Sequence, residues 1–265
     1  MSNHPVSKVY LVGAGPGAPD LLTLRAARLL ERADIVFYDA LVHPDTIALA
    51  VNAKKVAVGK RAGQVSTDQR FINRSLVEAA ARYQTVVRLK GGDPMMFGRA
   101  QEEIDELVSA GVAYEVVPGI TAGLAASAQL GVSLTQRGIA RSVTFATPRS
   151  GPEESQSEWV KSAVAADTTV LYMAVGQAPQ IAAAMIAEGK SAATPVAIVE
   201  SATLPEEQRI FTTLAGLTAS SLKLRGPAVL CIGEVFAVER VNATNLNTST
   251  GKEYEPIMAG SARRY

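Results

Sequence analysis

A chain of 265 residues, 48% hydrophobic and 19% charged, has enough length for one large or two small domains with a buried core. Its formal net charge of +1 leaves no basic excess to drive counterion release, which excludes a general nucleic-acid binder and requires any acidic ligand to be held by local arginines. The single cysteine, Cys231, excludes an internal disulfide, no apolar run reaches bilayer-spanning length, and Met1-Ser-Asn-His-Pro5 leads into the first strand without a leader signature. The expectation is a soluble cytoplasmic protein with no membrane or nucleic-acid partner.

Short β-branched runs alternate with longer amphipathic segments. Val9–Val12 reads as a strand, followed by a helix over about residues 21–32 in which Leu22, Ala26, Leu29 and Leu30 share one face. Strands at Ile35–Tyr38 and Val56–Val58 come next, then a helix over Asp68–Arg82 and a strand over Thr85–Leu89. A further helix over Arg99–Ser109 is stopped by Gly111 ahead of a strand at Tyr114–Val117. A second series follows, with strands at Ser142–Phe145, Thr169–Tyr172, Val196–Val199, Ile210–Thr213 and Ala228–Ile232. Helices over Ser157–Ala165 and Pro179–Glu188 separate the first three, and the sparse helix thereafter predicts antiparallel pairing. The pattern is that of two α/β domains, 1–130 and 138–238, with a ligand cleft between them and a flexible polar tail over 239–265. Cys231, inside an apolar strand, reads as a small buried core residue.

The most informative segment is Arg88-Leu-Lys-Gly-Gly-Asp-Pro-Met-Met-Phe-Gly-Arg99. Gly91 and Gly92 carry no Cβ to keep a ligand from the backbone, Asp93 adds a carboxylate, and Arg99 brings a permanent planar cation. These residues describe a small-molecule site at the C-terminal end of a strand. An earlier loop, Gly13-Ala-Gly-Pro-Gly17, with Asp39 about twenty residues on, has the outline of a dinucleotide fingerprint. It fits poorly, because Pro16 and Pro19 remove amide donors and the helix starts too late to meet a pyrophosphate.

Taken together, the motifs resemble the tetrapyrrole methylases, and within them the branch that methylates uroporphyrinogen III. The resemblance is carried by Val12–Gly17, Leu21–Leu24, Tyr38–Val42, Val58-Gly-Lys60, Arg88–Arg99, Glu102-Glu103, Val116–Ala122, Leu134–Arg137, Leu171-Tyr-Met173, Thr194–Val196 and Gly233–Val235. These segments run in family order from about residue 8 to residue 236 and span both predicted domains. The resemblance implies an S-adenosylmethionine-dependent methyltransferase of porphyrin, sirohaem or cobalamin biosynthesis, without a metal, acting as a homodimer. The reaction it implies is C-methylation of uroporphyrinogen III at ring carbons 2 and 7 to give precorrin-2.

It assigns donor contacts to Pro16, Gly91, Gly92, Asp93, Thr121, Ala122, Met173, Ala202 and Ala228. Thr121 and Ala122 are expected to open a helix whose free amides face the cleft, and Met173 either lines the donor pocket or packs in the core. Arg99, Arg137 and Arg149 are implied to hold the acceptor's carboxylates, for which a guanidinium is suited by its bidentate fork. Arg141, Lys60 and Arg61 are further candidates, or surface charges. Glu102, three residues after Arg99, is implied to act with it in catalysis as a general base, its alternative being an ion-pair partner of Arg99. Glu103 is expected to be a solvated neighbour.

Two positions depart from the family pattern. Gln136 stands where a histidine is common, and Thr147-Pro-Arg149 replaces Thr-Gly-His; with only His4 and His43, histidine catalysis is not expected. Methylation of a later corrin intermediate such as precorrin-4, and a tetrapyrrole- or donor-binding protein without turnover, stay open as alternatives.

Overall fold

The computed structural model describes residues 7–59, 69–148, 159–217 and 224–238. Two five-stranded sheets account for all the strands among them. The first contains β1 (Lys8–Gly13), β2 (Ile35–Tyr38), β3 (Lys54–Ala57), β4 (Thr85–Lys90) and β5 (Ala113–Val117) in the order β3-β2-β4-β1-β5. Every pairing in it is parallel. The second contains β6 (Val143–Ala146), β7 (Thr168–Tyr172), β8 (Pro195–Glu200), β9 (Gln208–Thr213) and β10 (Ala228–Ile232) in the order β6-β7-β10-β8-β9. There only β6 and β7 are parallel, and the other three pairings are antiparallel, as the shortage of helix after β8 predicts.

Helices cover both faces of each sheet. In the first, α1 (Leu24–Glu31) packs Ala26, Leu29 and Leu30 against Val12, Val36, Val87 and Leu89. On the opposite face α3 (Gln69–Ala80) and α4 (Ala100–Ser109) bring Ile72, Leu76 and Leu107 onto Val9, Ile35, Phe37 and Val86. A short helix, α2 (Pro44–Ala48), is capped by His43, whose Nδ1 accepts the Asp45 amide. In the second sheet, α5 (Ala122–Leu130) covers one face with Ala126 and Leu130 against Val170, Val199, Val229 and Cys231. The other face is covered by α6 (Trp159–Ala165) and α7 (Ala178–Ala187), with Ala163, Ile181 and Met185 on Leu171, Ile198 and Leu230. The α5 helix follows the first sheet in sequence and packs on the second.

Local chemistry explains where these elements begin and end. The Thr23 hydroxyl accepts the Ala26 amide and starts α1 later than the leucine pattern suggests, at Leu24. Gly111, Gly131 and Gly189, each in the left-handed region, close α4, α5 and α7. Two aspartates align parallel strands. Asp34 Oδ2 accepts the Gln84 and Thr85 amides at the start of β4, and Asp167 Oδ2 accepts those of Arg141 and Ser142 ahead of β6. Cys231 is fully buried, and its desolvation pushes the thiol pKa up to about 12, so it is inert at neutral pH. No described helix is long and apolar enough to cross a membrane.

Candidate functional site

The first sheet has its topological switch between β1 and β4, whose following helices lie on opposite faces, and crevices at such points are where α/β sheets bind ligands. Three backbone segments meet there at the C-terminal strand ends. The amide and carbonyl of Gly15 pair with those of Gly92 in an isolated antiparallel bridge, at 3.1 and 2.7 Å. Gly119, after β5, closes on both loops. A Cβ at Gly13 would stand 2.5 Å from the Gly119 nitrogen, and one at Gly119 would overlap the Gly92 carbonyl oxygen. The first glycine loop is thus committed to holding the second, which explains physically why it makes a poor pyrophosphate cradle.

Gly91 and Gly92 have different reasons to be glycine. A Cβ at Gly91 would meet the Leu41 Cβ at 2.8 Å, so that position is set by packing under the loop after β2. Gly92 is left-handed, with φ +69°, and a Cβ there would point at Thr121 Cα and the Ala122 nitrogen, 3.9 and 4.0 Å away. Its absence leaves a notch between the β4 loop and the first turn of α5. Two carboxylates fix the rim. Asp39 accepts the Leu41 and Gly91 amides, and Asp93 accepts those of Met95 and Gly119 at 2.8 and 2.9 Å.

Arg99 is the left-handed N-cap residue of α4, and its Nε and Nη2 both lie 2.7 Å from the Glu102 carboxylate. The pair faces solvent, with 59% and 48% of the two side chains exposed. Glu103 departs from the expectation of a solvated neighbour: it is wholly buried. Its carboxylate accepts from Arg88 Nε at 3.0 Å, from Lys90 Nζ at 2.9 and 3.0 Å, and from Gln69 Nε2 at 3.2 Å. Arg88 and Lys90 alternate along β4 and so share the face against which α4 lies. Burial drives the Lys90 pKa down from its ordinary 10.5, with Arg88 adding to the effect and Glu103 opposing it. A buried acid between two buried cations therefore holds α4 against the strand that feeds the glycine loop.

The second sheet presents its edge to this rim. Tyr172 ends β7, and its hydroxyl is 2.7 Å from Thr121 Oγ1 and accepts the Gly123 amide at 2.8 Å. Its ring lies against Phe97 of the β4 loop, with centroids 5.0 Å apart. Met173 follows and is 47% exposed, so it is not a core methionine. Ala202 lies just beyond β8, and Ala228 begins β10, in register with Glu200 and next to Val229, which pairs with Tyr172. The Ala18 amide donates to Thr203 Oγ1 at 3.0 Å, so the first glycine loop also touches the second sheet's loops. Among the described residues, five that are not glycine have left-handed φ: Phe97, Arg99, Met173, Ser201 and Thr203. All five lie on loops facing this junction, and strain concentrated in this way is characteristic of binding sites.

Gly91, Gly92, Asp93, Thr121 and Ala122 thus come together around one notch, with Pro16 in the loop bridged to Gly92. Met173, Ala202 and Ala228 share the facing edge. Arg137 is exposed in the segment between α5 and β6, where Gln136 bridges to Ala140, and among the described residues no contact ties it to the notch. Arg149, Lys60 and Arg61 lie outside the described residues. Sequence reasoning passed over Tyr172, Phe97 and Thr203. The one available signal was Tyr172 beside Met173 at a strand end, next to a helix, α5, that begins with an otherwise unexplained glycine.

The chain matches the family model of the tetrapyrrole (corrin/porphyrin) methylases over residues 8–218. It is 45% identical over 230 residues to the uroporphyrinogen-III C-methyltransferase of Pseudomonas aeruginosa, covering 86% of this chain and 94% of that protein. It is 44% identical over 233 residues to the siroheme synthase of Azotobacter vinelandii, covering 87% of this chain and 50% of that one, so it spans about half the length of this longer relative. The crystal structure of uroporphyrin-III C-methyl transferase from Thermus thermophilus complexed with S-adenyl homocysteine superposes with a TM-score of 0.77 at 40% identity, covering 86% of this chain and 98% of that one. With the family model covering the first sheet and four of the five strands of the second, and these identities over most of its length, the chain belongs to the tetrapyrrole methylases.

Proposed function

We propose that this chain transfers methyl groups from S-adenosylmethionine to ring carbons 2 and 7 of uroporphyrinogen III, giving precorrin-2. The observation that carries the proposal is the Gly92 notch at the first turn of α5, facing the Met173 edge, with the Arg99–Glu102 pair where the same loop enters α4. The names of the Pseudomonas aeruginosa and Thermus thermophilus relatives support the substrate and the donor.

The residues fit the donor. The notch is kept open by a missing Cβ, bordered by helix N-terminal backbone, and faced by the exposed thioether of Met173. Pro16, Gly91, Gly92, Asp93, Thr121, Ala122, Met173, Ala202 and Ala228 hold it in this proposal. S-Adenosylmethionine supplies a methyl carbon on a sulfonium sulfur, electrophilic without further activation. The protein's work is therefore alignment of two reactants and exclusion of water. Arg99, Arg137 and Arg149 bind acceptor carboxylates through their planar forks. Engagement of Arg99 by the acceptor draws it from Glu102, whose carboxylate oxygen is then available to take the proton lost from the macrocycle.

In this reading the protein is a cytoplasmic homodimer of two α/β units, expected over 1–130 and 138–238, with α5 at the end of the first range packed on the second sheet. Anaerobic incubation with S-adenosylmethionine and enzymatically generated uroporphyrinogen III, followed by mass spectrometry, tests it. Two added methyl groups, lost in Glu102→Ala or Arg99→Ala, are expected; an unmodified macrocycle despite donor binding would overturn the acceptor assignment.

A further inference from the structure

The α5 helix has an unusual start. Its N-cap residue, Thr121, makes no capping bond with its own side chain. The Gly123 amide, one of the donors a helix start leaves unsatisfied, is instead taken at 2.8 Å by the hydroxyl of Tyr172 at the end of β7. The same hydroxyl is 2.7 Å from Thr121 Oγ1, so the buried threonine spends its side chain on the tyrosine. Gly123 is fitted to this contact, because a Cβ there would stand 2.7 Å from the Tyr172 oxygen and 2.8 Å from Val170 Cγ1.

The ring of Tyr172 does a second job. It lies between Phe145 of β6, 6.3 Å away, and Phe97, 5.0 Å away and tilted by 51°. Phe97 and Arg99 both sit at left-handed φ, a conformation that persists in such residues only where neighbours over-determine it. The contact with Tyr172 is one such restraint. One side chain thus touches both the donor notch, through Thr121, and the Arg99 loop, through Phe97. Burial raises the phenol pKa above its ordinary 10.0, so the hydroxyl keeps its proton at neutral pH, accepts from the Gly123 amide and shares a hydrogen bond with the Thr121 hydroxyl.

From this geometry we infer that Tyr172 is a positioning residue for methyl transfer, its hydroxyl setting the first turn of α5 at the donor notch and its ring setting the loop that carries Arg99. The inference rests on the proposed methyl-donor reading. It is tested by calorimetric titration of S-adenosylhomocysteine into the full chain and its variants, alongside steady-state kinetics.

Tyr172→Phe keeps the ring and removes both hydrogen bonds; it is expected to weaken S-adenosylhomocysteine binding about tenfold, the effect of losing one helix cap. The donor KM rises by a similar factor, more than kcat falls. Thr121→Val, which removes the other end of the bond, also weakens binding and reports on the same contact even if Tyr172→Phe folds poorly. The double variant is expected to bind no more weakly than the weaker single one. Tyr172→Leu removes the ring as well and lowers kcat beyond the Phe variant, without a further loss of S-adenosylhomocysteine affinity.

Wild-type affinity in Tyr172→Phe, or fully additive losses in the double variant, would overturn the inference while the functional reading stands. A wild-type protein that does not bind S-adenosylhomocysteine would overturn both. Binding by the wild type without methylation of uroporphyrinogen III would overturn the acceptor assignment alone, with the affinity pattern still supporting the role of Tyr172.

Discussion

Successive residues of a helix point about 100° apart, and at the start of α4 that rotation gives Glu102 and Glu103 opposite environments. Glu102 faces solvent with Arg99, and its pair is of the exposed kind that adds little to stability. Glu103 faces β4, where two buried cations depend on it. Replacing Glu103 with alanine leaves Arg88 and Lys90 without their buried counter-charge and is expected to cost about 3–5 kcal/mol, read as a fall in the urea midpoint. Glu102→Gln has the reverse profile: stability within about 0.5 kcal/mol of wild type by the same denaturation, and turnover lower by about a hundredfold in a methyl-transfer assay. The sequence held a clue to this division. Arg88 and Lys90 stand two apart inside an otherwise apolar strand, and two cations on one face of a buried strand require an acid opposite them. Periodicity alone could not choose between adjacent glutamates, because the choice depends on which side of α4 meets the sheet.

At the scale of elements, the strand runs and the helix stop at Gly111 were legible because each rests on local chemistry. The parallel-to-antiparallel change between the sheets was legible for the same reason, as crossover helices thin out after β8. α5 was not, beyond its expected opening at Thr121 and Ala122. Its sequence, Ala-Gly-Leu-Ala-Ala-Ser-Ala-Gln-Leu, carries almost no apolar stripe, since small residues here serve close approach. The five left-handed positions were equally silent, because Phe, Arg, Met, Ser and Thr have no preference for that conformation.

Gly92 was legible as a site glycine, and its two roles can be separated. Gly92→Ala places a Cβ in the notch and in the left-handed region, where the strain is about 1–2 kcal/mol. Affinity for S-adenosylhomocysteine, measured by calorimetry, is expected to fall by more than that strain accounts for. Asp167 offers a pH test at a site remote from the notch. The Arg141 amide, then the Ser142 hydroxyl and amide, hold its carboxyl below the ordinary 3.8. A carboxyl lowered on folding contributes stability fully present above its unfolded value, and that contribution is lost as pH falls through the folded one. Asp167→Asn is therefore expected to be less stable than wild type at neutral pH, and to show a flatter fall in thermal midpoint on acidification below pH 3.8.

For the molecule as a whole, the question is what makes two sheets one folding unit. The covalent link passes once, between β5 and α5, while Ala18–Thr203 and the Phe97–Tyr172 ring contact tie the sheets at two further points. Leu204 also fills the space over Gly17, where a Cβ would meet its side chain at 2.8 Å. With these ties, scanning calorimetry is expected to give one transition with equal calorimetric and van't Hoff enthalpies; two resolved peaks would mean that the sheets melt separately. The placement of α5 has a consequence for how such a chain could have been assembled or could be divided. The polypeptide leaves the first sheet at Val117, but its next helix already belongs to the second sheet's core. The seam in the gene and the seam in the solid are offset by one helix. A cut after Leu130 strands an apolar helix on the wrong fragment, whereas a cut at Pro118-Gly119 sends α5 away with the sheet it covers. Recombination or split-protein design would therefore have to break this chain ahead of the helix, within the donor notch itself, so that neither half carries a whole binding site.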